Sequence, residues 1–207
     1  DPLGVVLQMT EFSRLHRDLA RDIVSLALDT AMSEPETGSS AQQLHTARSR
    51  RFVNGVAFGL RARYANDPTV RVLSKYDEQH RHEFGMNELL YDVHVVQIDT
   101  VTSARQGKRL AYVTNAIWQV ESEFSRSTRE AIHDFNKLVA GAAEHKLFIG
   151  PTPQDVDAVL KVLAAPARHC HGTVTVVFVP PPAEWEAPGS TRAQAWAFIE
   201  GVWEIAA

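Results

Sequence analysis

The sequence predicts an α/β (α+β) protein in which a mixed central β-sheet is flanked by helices. Amphipathic segments with helical spacing alternate with short runs of β-branched residues. One such run, TVTVVFV at 173–179, is almost continuously apolar, as expected of a central strand. The chain has 207 residues, 44% hydrophobic and 22% charged, which is enough for one sizeable core. We therefore expect one domain over residues 1–207.

Residues 1–66 are predicted to form a helical N-terminal segment. Between positions 3 and 32, Leu15, Leu19 and Ile23 recur at helical spacing, with charged residues between them. The polar stretch 33–40 indicates a loop. A second helix is expected from Ala41 to Tyr64, because the NDP that follows disfavours helix before its proline.

The central region, 69–180, is predicted to hold the sheet. Residues 69–73 and 89–98 favour strands, and 110–124 favours a long one. The last two are expected to pair as an antiparallel hairpin across the turn 103–109, where Gly107 can take a positive φ.

The second half of that region alternates helix and strand. Ser127 or Thr128, with Glu130, predicts the start of a helix that carries an apolar face. A strand at 146–150, an amphipathic helix at 154–165 and the strand at 173–179 follow. The C-terminal extension, 181–207, fits a terminal helix or an edge strand equally well.

Charge is unevenly distributed along the chain. The formal net charge of -4 argues against a broadly basic nucleic-acid-binding protein. The segment 48–81 is nevertheless rich in arginine, which predicts either a local polyanion-binding face or a solvated helix face. The residues expected to contact phosphates are Arg48, Arg50, Arg51, Arg61 and Arg63.

No apolar run approaches the roughly 20 residues that a membrane-spanning helix needs. The first residues lack the pattern of a signal peptide. Cys170 is the single cysteine, so no disulfide can form within the chain. We expect a cytoplasmic protein without a membrane partner.

The stretch WQVESEF at 118–124 places two acids in an apolar strand. Glu121 and Glu123 share one face, because side chains two apart in a strand point the same way. The preceding strand brings Asp92 to that face, with Glu88 four residues earlier. Converging carboxylates suit Mg²⁺ or Mn²⁺. The alternative is that both glutamates face solvent and pair with Arg126 or Arg129.

This arrangement resembles the PD-(D/E)XK superfamily of restriction-endonuclease-like nucleases. Their signature is an aspartate at the start of one core strand and (Asp/Glu)-x-Lys on the next, within an α-β-β-β-α-β order. Here Asp92 matches the lone acid and Glu121 the first position of the second motif. The resemblance covers residues 69–180. Glu123 stands where the lysine usually stands, which makes this a Glu-x-Glu variant.

The resemblance implies a metal-dependent endonuclease that acts on DNA. Asp92, Glu121 and Glu123 would hold Mg²⁺ or Mn²⁺, with Glu88 as an auxiliary acid. Lys137, on the helix after the hairpin, would replace the missing lysine and orient the attacking water. Nucleases of this kind often work as homodimers, because cutting two strands needs two sites. The departure at Glu123 also allows a non-catalytic interaction module on the same fold.

A further alternative is a zinc-binding regulatory protein. His169, Cys170 and His171 are imidazole and thiolate ligands of the kind that Zn²⁺ takes. A structural zinc site usually has four ligands from two separated pairs, and HCH supplies one cluster only. The simpler interpretation is a polar turn that leads into the strand at 173.

Overall fold

The structure, a computed structural model, describes residues 2–33, 40–85, 88–125, 127–185 and 193–206. The helices within these ranges are α1 (Pro2–Ser33), α2 (Ala41–Arg63), α3 (Arg81–Phe84), α4 (Thr128–Ala140) and α5 (Val156–Ala167), with a 3₁₀ helix at Pro182–Glu184. The strands are β1 (Val70–Ser74), β2 (Val93–Thr102), β3 (Arg109–Ser122), β4 (His145–Pro151), β5 (Thr173–Val179), β6 (Gln194–Ile199) and β7 (Val202–Ile205).

The seven strands form one mixed sheet in the order β1-β2-β3-β4-β5-β6-β7. The pairs β1–β2, β2–β3, β5–β6 and β6–β7 are antiparallel, and β3–β4–β5 are parallel. One boundary of the sheet is therefore formed by the ends of β1, β3, β4 and β5 and by the start of β2. We call this boundary, which runs across the strand ends, the site edge. The opposite edge is called the distal edge.

Helices cover both faces of the sheet, as predicted. Helices α1 and α2 pack on one face, where Trp118 and Val120 of β3 join Phe52 of α2 in the larger core cluster. Helices α4 and α5 pack on the other face, where Phe135 and Leu163 meet Phe148 and Val176. The fold class predicted from the sequence is thus confirmed: a mixed sheet lies between two helical layers.

The first helix connects the beginning of the chain to its end. α1 lies against β5 and β6 as well as against α2. On β7, the buried Arg17 donates to the carbonyl oxygen of Ile205 at 2.8 Å, and Arg14 forms an ion pair of 2.9 Å with Glu204. Residues more than 180 positions apart in sequence are therefore in direct contact.

Helix starts follow their capping residues. Ser40 and Gln43 form a capping box at the start of α2, and the Ser127 side chain accepts the backbone N–H of Glu130 in α4. Asp155 does the same for Ala158 in α5. The predicted start of α4 is confirmed, while most of the predicted loop at 33–40 lies outside the described residues.

The C-terminal extension is a β-hairpin. Strands β6 and β7 add an antiparallel ladder to β5, joined at Glu200 (φ 51°) and Gly201 (φ 87°). Two consecutive positive φ angles fit the tight turn that joins neighbouring antiparallel strands. Of the two structures that the sequence allowed here, the edge strand is the one that forms.

Strand boundaries differ from prediction at β2. The predicted strand 89–98 begins only at Val93 and continues to Thr102. Leu90 has a positive φ of 71° and a fully exposed side chain, so the apolar pair before the strand belongs to a loop. None of the described helices is long and apolar enough to cross a membrane.

Candidate functional site

Three of the predicted site residues converge at the site edge. Asp92 immediately precedes β2, and the pairing of Val93 with Val120 brings it opposite Glu121 near the end of β3. Helix α4 crosses the same face of β3 and places Lys137 against Glu121. The antiparallel register and the crossover helix together assemble this cluster.

The Asp92 carboxylate is held by the adjacent strand. One oxygen accepts the backbone N–H of Ser122 at 3.0 Å and its hydroxyl at 2.6 Å. The other oxygen lies 3.7 Å from Nζ of Lys75, which follows β1. The side chain is 14% exposed. Asp92 therefore has a fixed orientation, and a small part of its side chain remains exposed to solvent.

Glu121 is the most buried acid of the cluster, at 2% exposed. Its Oε2 accepts a hydrogen bond from Nζ of Lys137 at 3.0 Å, whereas its buried Oε1 has no partner in the described part of the chain. Burial, and after it the charge of Asp92, raises the pKa of Glu121 to about 8, against the opposing effect of Lys137. A buried oxygen without a donor is costly, so this site favours a cation or a donor from outside.

Lys137 is the most exposed member of the cluster. Its Nζ also lies 2.8 Å from Oδ1 of Asp134, and its side chain is 45% exposed. Burial lowers the pKa of Lys137, but hydrogen bonds and charges from Asp134 and Glu121 outweigh this and raise it. The hydroxyl of Tyr91 donates to the backbone carbonyl of Lys137 at 3.2 Å, which fixes this turn of α4 beside the cluster.

The predicted group of three carboxylates is not formed. Strand β3 ends at Ser122, and the Glu123 carboxylate accepts the backbone N–H of Ser125 at 2.5 Å. Among the described residues, no three His, Cys, Asp or Glu side chains form a group able to hold a metal ion. The structure therefore brings Asp92 and Glu121 together without Glu123.

The alternative pairing of the two glutamates with arginine is not observed for Glu121. Its partner is Lys137, and its side chain is buried rather than solvent-facing. Arg126 lies outside the described residues. The auxiliary acid Glu88 is exposed, and its charge acts on Lys75 rather than directly on Glu121.

The five predicted DNA-contacting arginines are spread along α2. At its start, Arg48 donates to the carbonyl of Pro182 at 2.7 Å, and Arg50 stacks over the Tyr76 ring at 5.4 Å, both near the site edge. Arg61 pairs with Asp77 and donates to Val72. Arg63 is exposed toward the distal edge, and Arg51 is half-buried. They do not form one continuous face, and these contacts place two of them, Arg48 and Arg50, at the site edge.

A cavity of about 750 Å³ lies at the site edge, and Asp92, Glu121 and Lys137 are not among its lining residues. It lies beyond the ends of β4 and β5, with Phe148 and Phe178 among its lining. Its charged side chains are the carboxylates of Glu123, Asp155 and Glu184, with no basic side chain among the described lining residues. Phosphate groups are therefore favoured at Lys75 and Lys137 rather than in this cavity.

Sequence reasoning missed Lys75, Asp134, Ser122 and Tyr91. Asp134 carried a usable signal, because an acid three residues before a lysine on a helix is a common ion pair. Lys75 carried none, because its place beside Asp92 follows from how β1 pairs with β2.

The segment proposed for zinc is a turn before β5. His169 and His171 are exposed. Burial raises the pKa of Cys170 to about 11, which keeps its thiol protonated at neutral pH and unsuited to a metal. The geometry supports the simpler interpretation of this segment, a polar turn that leads into β5.

Comparison of the chain with protein-family models, curated proteins and solved structures finds no match.

Proposed function

We propose that this protein is a metal-dependent phosphodiesterase that cleaves DNA at the cluster of Asp92, Glu121 and Lys137. The observation that carries the proposal is the 3.0 Å contact of Lys137 with Glu121, beside Asp92 and an unpartnered buried Glu121 oxygen. Two acids and a lysine at the edge of a mixed sheet are the groups that the PD-(D/E)XK resemblance implies. Here the lysine comes from the helix, as expected for the Glu-x-Glu variant.

The residues present fit a divalent cation. Mg²⁺ commonly uses one or two protein carboxylates and completes its shell with water and substrate phosphate. Asp92 and Glu121 would be those carboxylates, and Oε1 of Glu121 is free of protein donors among the described residues. Bound Mg²⁺ or Mn²⁺ would supply charge for the phosphoryl oxygens and lower the pKa of a water molecule.

The chain's own groups would position the reaction. The half-exposed ammonium of Lys137 is placed to donate to the oxygen of the attacking water, which favours hydroxide. The attacking water gives up one proton to solvent. Its oxygen then forms a P–O bond while the bond to the leaving sugar oxygen breaks, and that sugar oxygen takes a proton from solvent. Lys75, beside Asp92, is placed to bind a non-bridging phosphate oxygen.

The cellular setting and the assembly are part of the same proposal. A single cysteine, half-buried and unpaired, fits a reducing cytoplasm. Cleavage of both strands of a duplex would need two sites, which favours a homodimer on DNA.

Cleavage assays test the proposal. Supercoiled plasmid and linear duplex DNA, with Mg²⁺ or Mn²⁺, should be cut by the wild type. Lys137→Ala should lower the rate at least about 100-fold, as expected for loss of a positioned charge that stabilises the attacking hydroxide. Lys161→Ala, which removes an exposed lysine on α5, is the matched control and should keep the wild-type rate.

Two results would contradict the proposal: no cleavage by the wild type with either metal, or equal cleavage by wild type and Lys137→Ala. Thermal melting of each variant separates loss of function from loss of folding.

A second candidate is the non-catalytic interaction module. The favouring observation is that Lys75 and Lys137 already lie beside Asp92, Glu121 and Asp134, so the cluster is largely neutralised by protein groups. Calorimetric titration with Mn²⁺ distinguishes the candidates. A metal site should show heat that Asp92→Asn abolishes, with an affinity that rises about tenfold per pH unit up to about pH 8, where Glu121 loses its proton. The interaction module predicts no heat.

A further inference from the structure

A two-stranded ribbon extends from the sheet at its distal edge. β1 pairs with β2 no further than Gln97, and β4 pairs with β3 no earlier than Trp118. Residues 99–112, which we call the β-ribbon, therefore pair only with each other in the sheet, because the N–H of Ile98 still donates to the carbonyl of Thr69. They form a hairpin arm whose outer edges carry no neighbouring strand in the described part of the chain.

Contacts between its strands keep the β-ribbon ordered. Val101 pairs with Leu110, and the Tyr112 hydroxyl donates to Asp99 at 3.4 Å. At the tip, the N–H of Gly107 donates to the carbonyl of Ser103 at 2.8 Å, with Gly107 at a φ of 64°. The two strands and the turn of the arm are therefore held together by contacts of their own.

The charge of the β-ribbon is opposite to that of the whole chain. Arg105, Lys108 and Arg109 are all exposed at its tip, and Asp99 is its single acid. The chain as a whole has a formal net charge of -4. Arg109 donates to the hydroxyl of Thr100 at 3.0 Å, whereas the side chains of Arg105 and Lys108 have no hydrogen bond or ion pair among the described residues. Two cations are thus available to an anionic partner.

We infer that the β-ribbon is a second DNA-contacting element, which holds duplex DNA by its phosphates. This inference rests on the proposed function for the identity of the partner, but it does not require cleavage. A two-stranded ribbon is of the size that the major groove of B-DNA admits, about 12 Å wide, with phosphates along both sides. Arginine and lysine at its tip supply the counterion-releasing contacts that dominate DNA affinity.

The distance from the cluster sets the length of DNA that the protein engages. β2 runs from the cluster to the β-ribbon tip over the ten residues Val93–Thr102. At about 3.3 Å per residue this is roughly 30 Å, close to one helical turn of about 10 base pairs. A duplex of about 8 base pairs is therefore too short to reach both places.

Binding without cleavage tests the inference. Fluorescence anisotropy in EDTA measures the affinity for labelled 24- and 8-base-pair duplexes at several salt concentrations. The variant Arg105→Gln/Lys108→Gln should bind the longer duplex about 10- to 100-fold more weakly. Its plot of log K against log [salt], which has a negative slope, should become less steep by about 2. The 8-base-pair duplex should be affected much less. Lys161→Gln/Arg168→Gln removes two exposed cations of α5 and its end, and should bind as the wild type does.

Three results would overturn the inference: no binding by the wild type, equal loss in both double variants, or an unchanged salt slope in the β-ribbon variant. Sedimentation of the same variants tests whether the partner of the β-ribbon is instead a second copy of the chain. A change of oligomeric state with unchanged DNA affinity would make the β-ribbon a contact between copies of the chain. Loss of cleavage in Lys137→Ala with unchanged binding, or binding without any cleavage, bears on the proposed function alone.

Discussion

Glu121 holds a proton in the folded protein that it would release in the unfolded chain. Burial and the charge of Asp92 raise its pKa from 4.5 to about 8. Between these values the folded state binds more protons than the unfolded state, so the free energy of unfolding falls as pH rises. The stabilising contribution of the neutral carboxyl is complete below about pH 4.5 and is lost as pH rises through 8.

Glu121→Gln should therefore change the pH dependence of stability. Glutamine keeps the shape of the protonated acid and cannot ionise. In EDTA, we expect the melting temperature of the variant, relative to wild type, to increase by about 8–15 °C between pH 5 and pH 9, because a pKa shift of this size changes the free energy of unfolding by roughly 4 kcal/mol. Glu123→Gln, outside the cluster, should follow the wild-type curve. A difference between variant and wild type that stays constant over this range would show that the carboxyl is not held protonated.

The cluster also shows which site residues a sequence can predict. Asp92 and Glu121 follow from strand alternation and a hairpin, and the structure places them together. The structure does not join Glu123 to them: it follows the end of β3, and its carboxylate accepts the backbone N–H of Ser125. Metal binding and catalysis stay predictions.

At the scale of elements, α4 is positioned by a close approach at its end. A Cβ atom on Gly141 would lie 2.0 Å from Oε1 of Gln119 and 2.7 Å from the Tyr91 hydroxyl. Gln119 accepts the N–H of Ala143, and Tyr91 holds the carbonyl of Lys137. The glycine is required here by space, because its φ of -84° is ordinary. It allows the two side chains that fix α4 on β3.

Gly141→Ala should consequently shift α4 and disturb the cluster. We expect a loss of about 1–3 kcal/mol of unfolding free energy, as for overpacked buried sites, and a lower cleavage rate. Urea unfolding measures the first quantity. Ala142→Ser, at the exposed neighbouring position, should change stability by less than about 0.5 kcal/mol. Equal stability of the two variants would contradict this steric account.

Elements with strong local signals were predictable, and those decided by distant partners were not. α4 and α5 combine a capping residue with an apolar stripe, and both form near the predicted positions. The segment 193–206 contains alanine, glutamate and tryptophan, which fit either structure, and its pairing with β5 decides for strand. The start of β2 was misplaced because Leu89 and Leu90 are apolar but lie in a loop.

At the scale of the whole molecule, Arg17 and Arg14 both join α1 to β7, but Arg17 is buried and Arg14 is exposed. Arg17 is 6% exposed and donates to the Ile205 carbonyl, whereas the Arg14–Glu204 pair is on the surface. Arg17→Ala removes a buried guanidinium together with its hydrogen bond to that carbonyl and should cost about 1–3 kcal/mol. Arg14→Ala should cost at most about 1 kcal/mol. Thermal or urea unfolding compares them, and equal costs would mean that burial does not decide this contact.

The order of the strands also has a consequence for how the chain folds. Each strand of the sheet lies beside the strand that precedes it in sequence, so the sheet can grow by one strand at a time as the polypeptide is synthesised. α1 is the exception, because it precedes all seven strands in the sequence yet packs on β5 and β6 as well as on the neighbouring α2. Closing that long loop is entropically costly and comes late. The part of the α1 surface that packs on β5 and β6 therefore stays uncovered until those strands are synthesised, and this interval is when aggregation is most favoured.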